Sequence, residues 1–211
     1  HRESLIIRAD AHFAREQFAD ALQDYDAVLE ADSSDDDVLW QRCRSRLNLG
    51  MDVLALRDLD LILERNAQHY DALAERARLK EGGGAFAAAV ADLSVLLKNR
   101  PDDAAAWARR GTIHHRMAHW PEAVEDLSRA LELDPQQSTL YYRRGLAQHQ
   151  LNRPVEAVED LDSAIRIDPS NPDFWYSRGN CHAGQGQADA AIARLAIRHQ
   201  VYAPSDEAKG R

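Results

Sequence analysis

One spacing, 34 residues, runs through this chain without an insertion or deletion, and it leaves few folds open. Small residues recur at that step at Ala9, Cys43, Ala77, Gly111, Gly145 and Gly179. Alanine keeps the same step at Ala21, Ala55, Ala89, Ala123, Ala157 and Ala191, and a third series runs Tyr25, Leu59, Leu93, Leu127, Leu161, Leu195. Self-similarity at a fixed period of this size marks supersecondary units that bury their apolar faces only by stacking on neighbours. Such an array lacks one deep interior and offers an extended surface instead. The spacing therefore points to recognition of another protein rather than to catalysis.

Each unit reads as two helices. In residues 138–171, Leu140, Tyr141, Arg144, Gly145, Gln148 and Leu151 follow the spacing of one helical face. Asn152 and Arg153 interrupt it. Pro154 opens a second helix, where its missing N–H costs nothing, and Ala157, Val158, Leu161, Ala164 and Ile165 form the next apolar stripe. Asp168-Pro169 closes that helix, because a residue before proline avoids the α region. The helix pairs meet through Gly and Ala, so a large side chain at Gly145 or Ala157 is expected to overpack the contact.

On these residues the chain resembles the tetratricopeptide repeat family from end to end. The resemblance rests on the first-helix anchors Leu5, Leu39, Leu73, Trp107, Tyr141 and Trp175, and on the small-residue series. It rests also on Phe18, Phe86 and Trp120 at second-helix starts, and on the closing Pro101, Pro135 and Pro169. Ser33 and Ala67 replace that proline in the first two units. The resemblance implies an all-α fold, a right-handed superhelical solenoid of antiparallel helix pairs whose first helices line an inner groove that takes peptides or protein segments. Six repeats are expected, near 2–35, 36–69, 70–103, 104–137, 138–171 and 172–205, as one array over 1–205 with 206–211 a loose tail.

Net charge is −9, the wrong sign for a general binder of phosphate backbones, so nucleic acid is not expected as a partner. No run of 18 apolar residues spans a membrane. The chain begins at His1 without an initiator methionine, which reads as a fragment or processed chain. Cys43 and Cys181 lie several helix layers apart and are expected as free thiols, compatible with a cytoplasmic setting. The basic residues are 23 arginines and 3 lysines.

An arginine precedes every residue of the small series: Arg8, Arg42, Arg76, Arg110, Arg144 and Arg178. Sixteen residues later stand Asp24, Asp58, Asp92, Asp126 and Asp160. A polyanion ladder is one reading of the arginines. The favoured reading is a repeating ion pair across the helix seam, satisfying a charge that is costly to bury alone. The sixth unit puts Arg194 in the Asp register and Arg198 where others carry alanine, as a terminal unit needs. Leu5, Ile6 and Ile7 form an apolar run at the other end, open to more chain, to a partner or to self-association.

First-helix residues off the packing face are the candidate partner-binding set. They are Trp40, Arg44 and Asn48; Arg78; Arg109, Thr112, His115 and Arg116; Tyr142, Arg143, Leu146 and His149; and Tyr176 and Asn180. This lining is rich in Arg and aromatics, the types that dominate protein contact energies, and guanidinium forks suit carboxylates. The expected ligand is an extended or helical segment with acidic and apolar side chains. The competing reading is a solvated face whose arginines pair with Asp71, Glu75 or Glu81. The family variant that grips chaperone tails with paired Lys and Asn is not matched, since Lys80, Lys98 and Lys209 are the only lysines.

His114, His115, His119 and His149 invite a metal reading, but adjacent helical histidines point about 100° apart, and no carboxylate or thiol completes a set. His114 and His182 are expected as packed, satisfied rings, while His115 and His149 are equivalent across adjacent units and could make the groove pH-sensitive. Gly82-Gly83-Gly84 lacks the Gly-Lys-Ser/Thr of a phosphate loop. No nucleophile–base pair is evident, and no cofactor is expected. The sequence thus reads as a non-enzymatic scaffold or adaptor, the alternative being a docking region of a larger enzyme.

Overall fold

The structure is a computed structural model, and it describes residues 2–184. The expected second helix of the sixth repeat, with Ala191, Arg194, Leu195 and Arg198, and the expected tail at 206–211 lie outside the described residues. Eleven helices, and no strand among the described residues, follow the 34-residue step. Contacts divide the chain into two compact units, His1–Asn99 and Arg100–Arg211.

Unit 1 holds three hairpins: α1 (Arg2–Ala14) with α2 (Phe18–Ala31), α3 (Asp36–Asn48) with α4 (Asp52–Arg65), and α5 (Tyr70–Gly82) with α6 (Phe86–Asn99). Unit 2 holds α7 (Ala104–Arg116) with α8 (Trp120–Leu133), α9 (Ser138–Gln150) with α10 (Pro154–Ile167), and α11 (Pro172–Gly184). Each second helix packs against its own first helix, and within the units α2 also packs on α3, α4 on α5, α8 on α9 and α10 on α11. The expected all-α solenoid of antiparallel helix pairs is therefore what each unit builds.

Local chemistry sets the boundaries. Asp35 and Asp103 cap α3 and α7 by accepting from the amides of Val38 and Ala106. Pro121 and Pro154 stand in the first turns of α8 and α10. Between the two helices of every complete hairpin one residue takes positive φ: Glu16, Gly50, Gly84, Ala118 and Asn152, each 34 after the last. Only two of these are glycine, so three hairpins hold a strained turn.

The alanine and leucine series form the cores. Ala21, Ala55, Ala89, Ala123 and Ala157 are fully buried, as are Tyr25, Leu59, Leu127 and Leu161. The small first-helix residues let the partner helix come close. A Cβ at Gly111 would sit 2.9 Å from Leu127 Cγ and 3.0 Å from the Leu127 amide nitrogen; at Gly145 it would meet the Ala157 carbonyl oxygen at 3.1 Å. Trp107 and Trp175 donate from their indoles to the carbonyls of Pro101 and Pro169, each at 3.0 Å, which ties a first helix to the turn before it.

The seam arginines form the expected ion pairs. Arg76 donates to Asp92 at 2.9 and 2.7 Å, Arg144 to Asp160 at 2.8 and 2.6 Å, and Arg8, Arg42 and Arg110 follow the same pattern with Asp24, Asp58 and Asp126. The hydrogen bond from Arg8 holds the Asp24 carboxyl below its ordinary value, against desolvation. A second partner was not anticipated. Arg42 and Arg76 also reach back sixteen residues, to Asp26 at 3.0 Å and Asp60 at 2.8 Å, and Arg144 reaches Ser128 at 2.9 Å. Arg178 pairs with Asp162 in the same way. One guanidinium thus ties two successive hairpins.

A further register, His12, Arg46, Lys80, His114, Gln148 and His182, adds to the seam. Arg46 and Lys80 each bond the seam aspartate at 2.8 Å. His114 stands 3.9 Å from Asp126, and its Nδ1 is buried with no partner. The expectation of a satisfied His114 ring is therefore corrected: an imidazole is shorter than the Arg and Lys side chains that bridge this gap one and two repeats earlier.

Candidate partner-binding faces

The expected groove residues lie on α3, α5, α7, α9 and α11. In unit 1 four of them, Trp40, Arg44, Asn48 and Arg78, surround one open cavity of about 300 Å³, together with Leu47 and Glu75. The cavity exists because Ala74 occupies on α5 the register that Trp40 holds on α3. The Trp40 ring lies 4.9 Å from the His69 ring at the start of α5. The Arg44 guanidinium rests 4.6 Å above the Phe13 ring and donates to Gln41 at 3.0 Å. Stacking of this kind fixes a guanidinium before any ligand arrives and leaves its edge for a carboxylate. Asn48 donates to the Arg44 carbonyl at 2.8 Å.

Arg78 donates to Glu75, one turn earlier on α5, at 2.7 Å. Here the solvated-face reading describes the contact, although Arg78 is exposed and this bond uses only its Nε. Glu75 and Leu47 are lining residues that were not among the candidates. Their signal was in the register, since Glu75 stands where Arg109 and Arg143 stand later.

Unit 2 distributes its candidates differently. His115 is half-buried and packs edge-on against Trp120 at 5.2 Å, with its Nε2 buried and unpartnered. Burial, then the charge of Arg143 from α9, push its imidazole below the ordinary value. Tyr142 packs on Phe174 at 5.0 Å, so much of its ring belongs to the core rather than to a ligand. Arg109, Arg143 and Leu146 are half-buried, and Arg116 and Asn180 are exposed. Tyr176 is exposed at 46%. No single cavity among those described gathers these residues.

His149 Nδ1 lies 3.6 Å from Cys181 Sγ. A Cys–His contact invites a nucleophile reading, and the surroundings oppose it. Cys181 is buried and desolvation raises its thiol, whereas a nucleophilic cysteine needs an electropositive, accessible setting that lowers it. Burial pushes the Cys43 thiol up to about 12. Among the described residues no group of His, Cys, Asp or Glu is arranged to hold a metal ion. No described helix is long and apolar enough to cross a membrane.

Family models described as tetratricopeptide repeat match residues 1–50, 110–174 and 161–193. No curated protein matches the chain. Among solved structures, MamA from Desulfovibrio magneticus is similar at 18% identity and a TM-score of 0.75, over 82% of this chain and 98% of that one. YrrB, described as a TPR protein with an unusual peptide-binding site, is similar at 16% identity and a TM-score of 0.77, over 86% of this chain and 93% of that one. A tetratricopeptide repeat protein from Parabacteroides merdae is similar at 17% identity and a TM-score of 0.74, over 96% of this chain and 80% of that one.

Proposed function

The chain belongs to the tetratricopeptide repeat family, and we propose that it serves as a protein-interaction scaffold whose first-helix face holds a partner segment carrying acidic and apolar side chains, without catalysis of its own. The cavity at Trp40, Arg44 and Arg78 carries this reading. It sets a guanidinium held in place by an aromatic ring beside an indole and an aliphatic side chain. That pairing suits a carboxylate next to an apolar anchor. Asn48 lines the same cavity, its side-chain nitrogen donating to the Arg44 carbonyl. Unit 2 carries Arg109, Arg116 and Arg143 on its own first helices in a chain of net charge −9, which favours an acidic segment over a basic one. The exposed Ile7, at 70%, leaves the first repeat open to self-association as a secondary contact.

The test is a labelled peptide of alternating Asp and Leu, titrated by fluorescence anisotropy into the whole chain. Arg44→Glu and Arg143→Glu should each weaken binding by about tenfold or more, while the helical circular dichroism stays unchanged. Equal affinity in both variants removes the assignment.

A further inference from the structure

Each of α3, α5, α9 and α11 is packed against the second helix before it. No described helix takes that place on α1, and the registers that the packing buries elsewhere are open there. Ala11 is exposed where Ser45, Ala147 and Cys181 are buried, and Leu5 is half-buried where Leu39 and Leu73 are buried. The Arg8 side chain is 62% exposed, against 17% for Arg42 and 19% for Arg76.

Arg8 is also only half used. Its Nε and Nη2 donate to Asp24 at 2.7 and 2.6 Å. Nη1 is the atom through which Arg42, Arg76 and Arg178 reach an acid sixteen residues back. On Arg8 that atom has no hydrogen-bond partner among the described residues. The other charged groups of α1 are committed elsewhere or lie off this face. Arg2 is bonded to Asp35, and Asp10 accepts from the Tyr25 hydroxyl at 2.7 Å. Glu3 holds a register that is exposed on every first helix described. His12 Nδ1 lies 2.9 Å from the Gln17 side-chain oxygen and 4.0 Å from Asp20.

The later seams show what fills such a face. Asp26 of α2, Asp60 of α4 and Asp162 of α10 each stand two residues before a buried apolar pair, Val28-Leu29, Ile62-Leu63 and Ala164-Ile165. The last pair packs on Phe174 and Trp175, which hold on α11 the registers of Ser4 and Leu5. One acid ahead of two apolar side chains is therefore the matching pattern. A second copy stacked end to end does not supply it, because the sequence places Ala196 in the Asp26 register, with Arg194 and Arg198 on either side.

We propose that the open face of α1 takes an amphipathic helix of another polypeptide, with an acidic residue against the free edge of Arg8 and an apolar pair following it onto Leu5. The acid completes the two-sided bonding that the buried seam arginines already have, and the helix removes Leu5 and Ala11 from water.

The probe is a fluorescein-labelled, side-chain-stapled helical peptide of Leu, Ala and Gln that carries one Asp in the order Asp-Gln-Val-Leu. It is compared with the same peptide carrying Asn for Asp, both titrated into the whole chain by fluorescence anisotropy. The Asp peptide should bind, and the Asn peptide about tenfold more weakly. Arg8→Gln should weaken the Asp peptide by a similar factor and make the two peptides equal. Ala11→Gln, a change at an exposed helical position, should abolish binding with the helical circular dichroism unchanged. Arg44→Glu should leave binding unchanged, which separates this face from the groove. Absence of binding by the Asp peptide, equal binding of the two peptides to the unaltered chain, loss of binding in Arg44→Glu, or unchanged affinity in Arg8→Gln and Ala11→Gln overturns the proposal. So does sedimentation of the free chain as a dimer that Arg8→Gln dissociates, which would give the face to a second copy.

Discussion

Replacing Asp58 by alanine measures what the seam is worth. Asp58 is 1% exposed and accepts four hydrogen bonds, from Arg42 at 3.2 and 2.7 Å and from Arg46 at 2.8 Å twice. Their side chains are only 17% and 12% exposed, so truncation leaves two guanidiniums poorly hydrated. Summing four charge-assisted bonds at about 1.5–3 kcal/mol each overshoots, because all four share one carboxylate. Breaking a buried pair costs about 3–5 kcal/mol. Both arginines keep Asp26, at 3.0 and 3.3 Å, which places the expected loss near the lower end, about 3 kcal/mol. Urea titration followed by circular dichroism reads this as a lower midpoint at unchanged slope. Asp160→Ala is the comparison, since Arg144 keeps only the neutral Ser128 hydroxyl among its seam contacts. A loss below about 1 kcal/mol for Asp58→Ala would show that the seam behaves like surface ion pairs, and the structural argument for it would fall.

Gly111→Ala should cost about 1–2 kcal/mol, overpacking against a backbone nitrogen being only partly offset by helix propensity, and Gly145→Ala less; thermal melts giving the reverse order would contradict the contact distances. Ala118→Gly, at a φ of 58°, should gain about 0.5–1 kcal/mol in the same assay, as the left-handed conformation is unstrained for glycine. Burial lowers the His114 imidazole, with Arg110 and His119 adding and Asp126 and Glu122 opposing. The unfolded chain therefore takes up a proton that the folded one refuses, and stability falls as pH drops below about 6.5. His114→Gln, the residue Gln148 supplies one repeat later, should reduce the difference between urea midpoints at about pH 7.5 and about pH 5.5; an unchanged difference would exclude His114 as a source.

The hairpins and the forward half of the seam were legible because each is written several times in one register. Arg76 and Asp92 need no tertiary information once Arg42–Asp58 and Arg144–Asp160 repeat the distance. The backward contacts to Asp26 and Asp60 are less regular, because Ser94 and Ser128 interrupt that register before Asp162. The positive-φ turns escaped because Glu16, Ala118 and Asn152 share no side-chain chemistry; position alone defines them. The cavity at Trp40 was hidden for another reason. It is a place where a large residue fails to appear, Ala74 opposite Trp40. Missing bulk leaves no motif. Tyr142 shows the converse: its spacing reads as groove-facing, and the spacing does not reveal that its ring packs on the core around Phe174.

The double reach of Arg42 and Arg76 bears on how such a chain can change length. Each finds an acid sixteen residues ahead and another sixteen behind. Excising or duplicating a stretch of 34 residues within the first five repeats keeps an aspartate sixteen ahead and an aspartate or serine sixteen behind. Any other increment within a hairpin turns one acid to the wrong side of its helix and strands a guanidinium. The seam thereby acts as a ruler, and the unbroken spacing is what survives measurement against it.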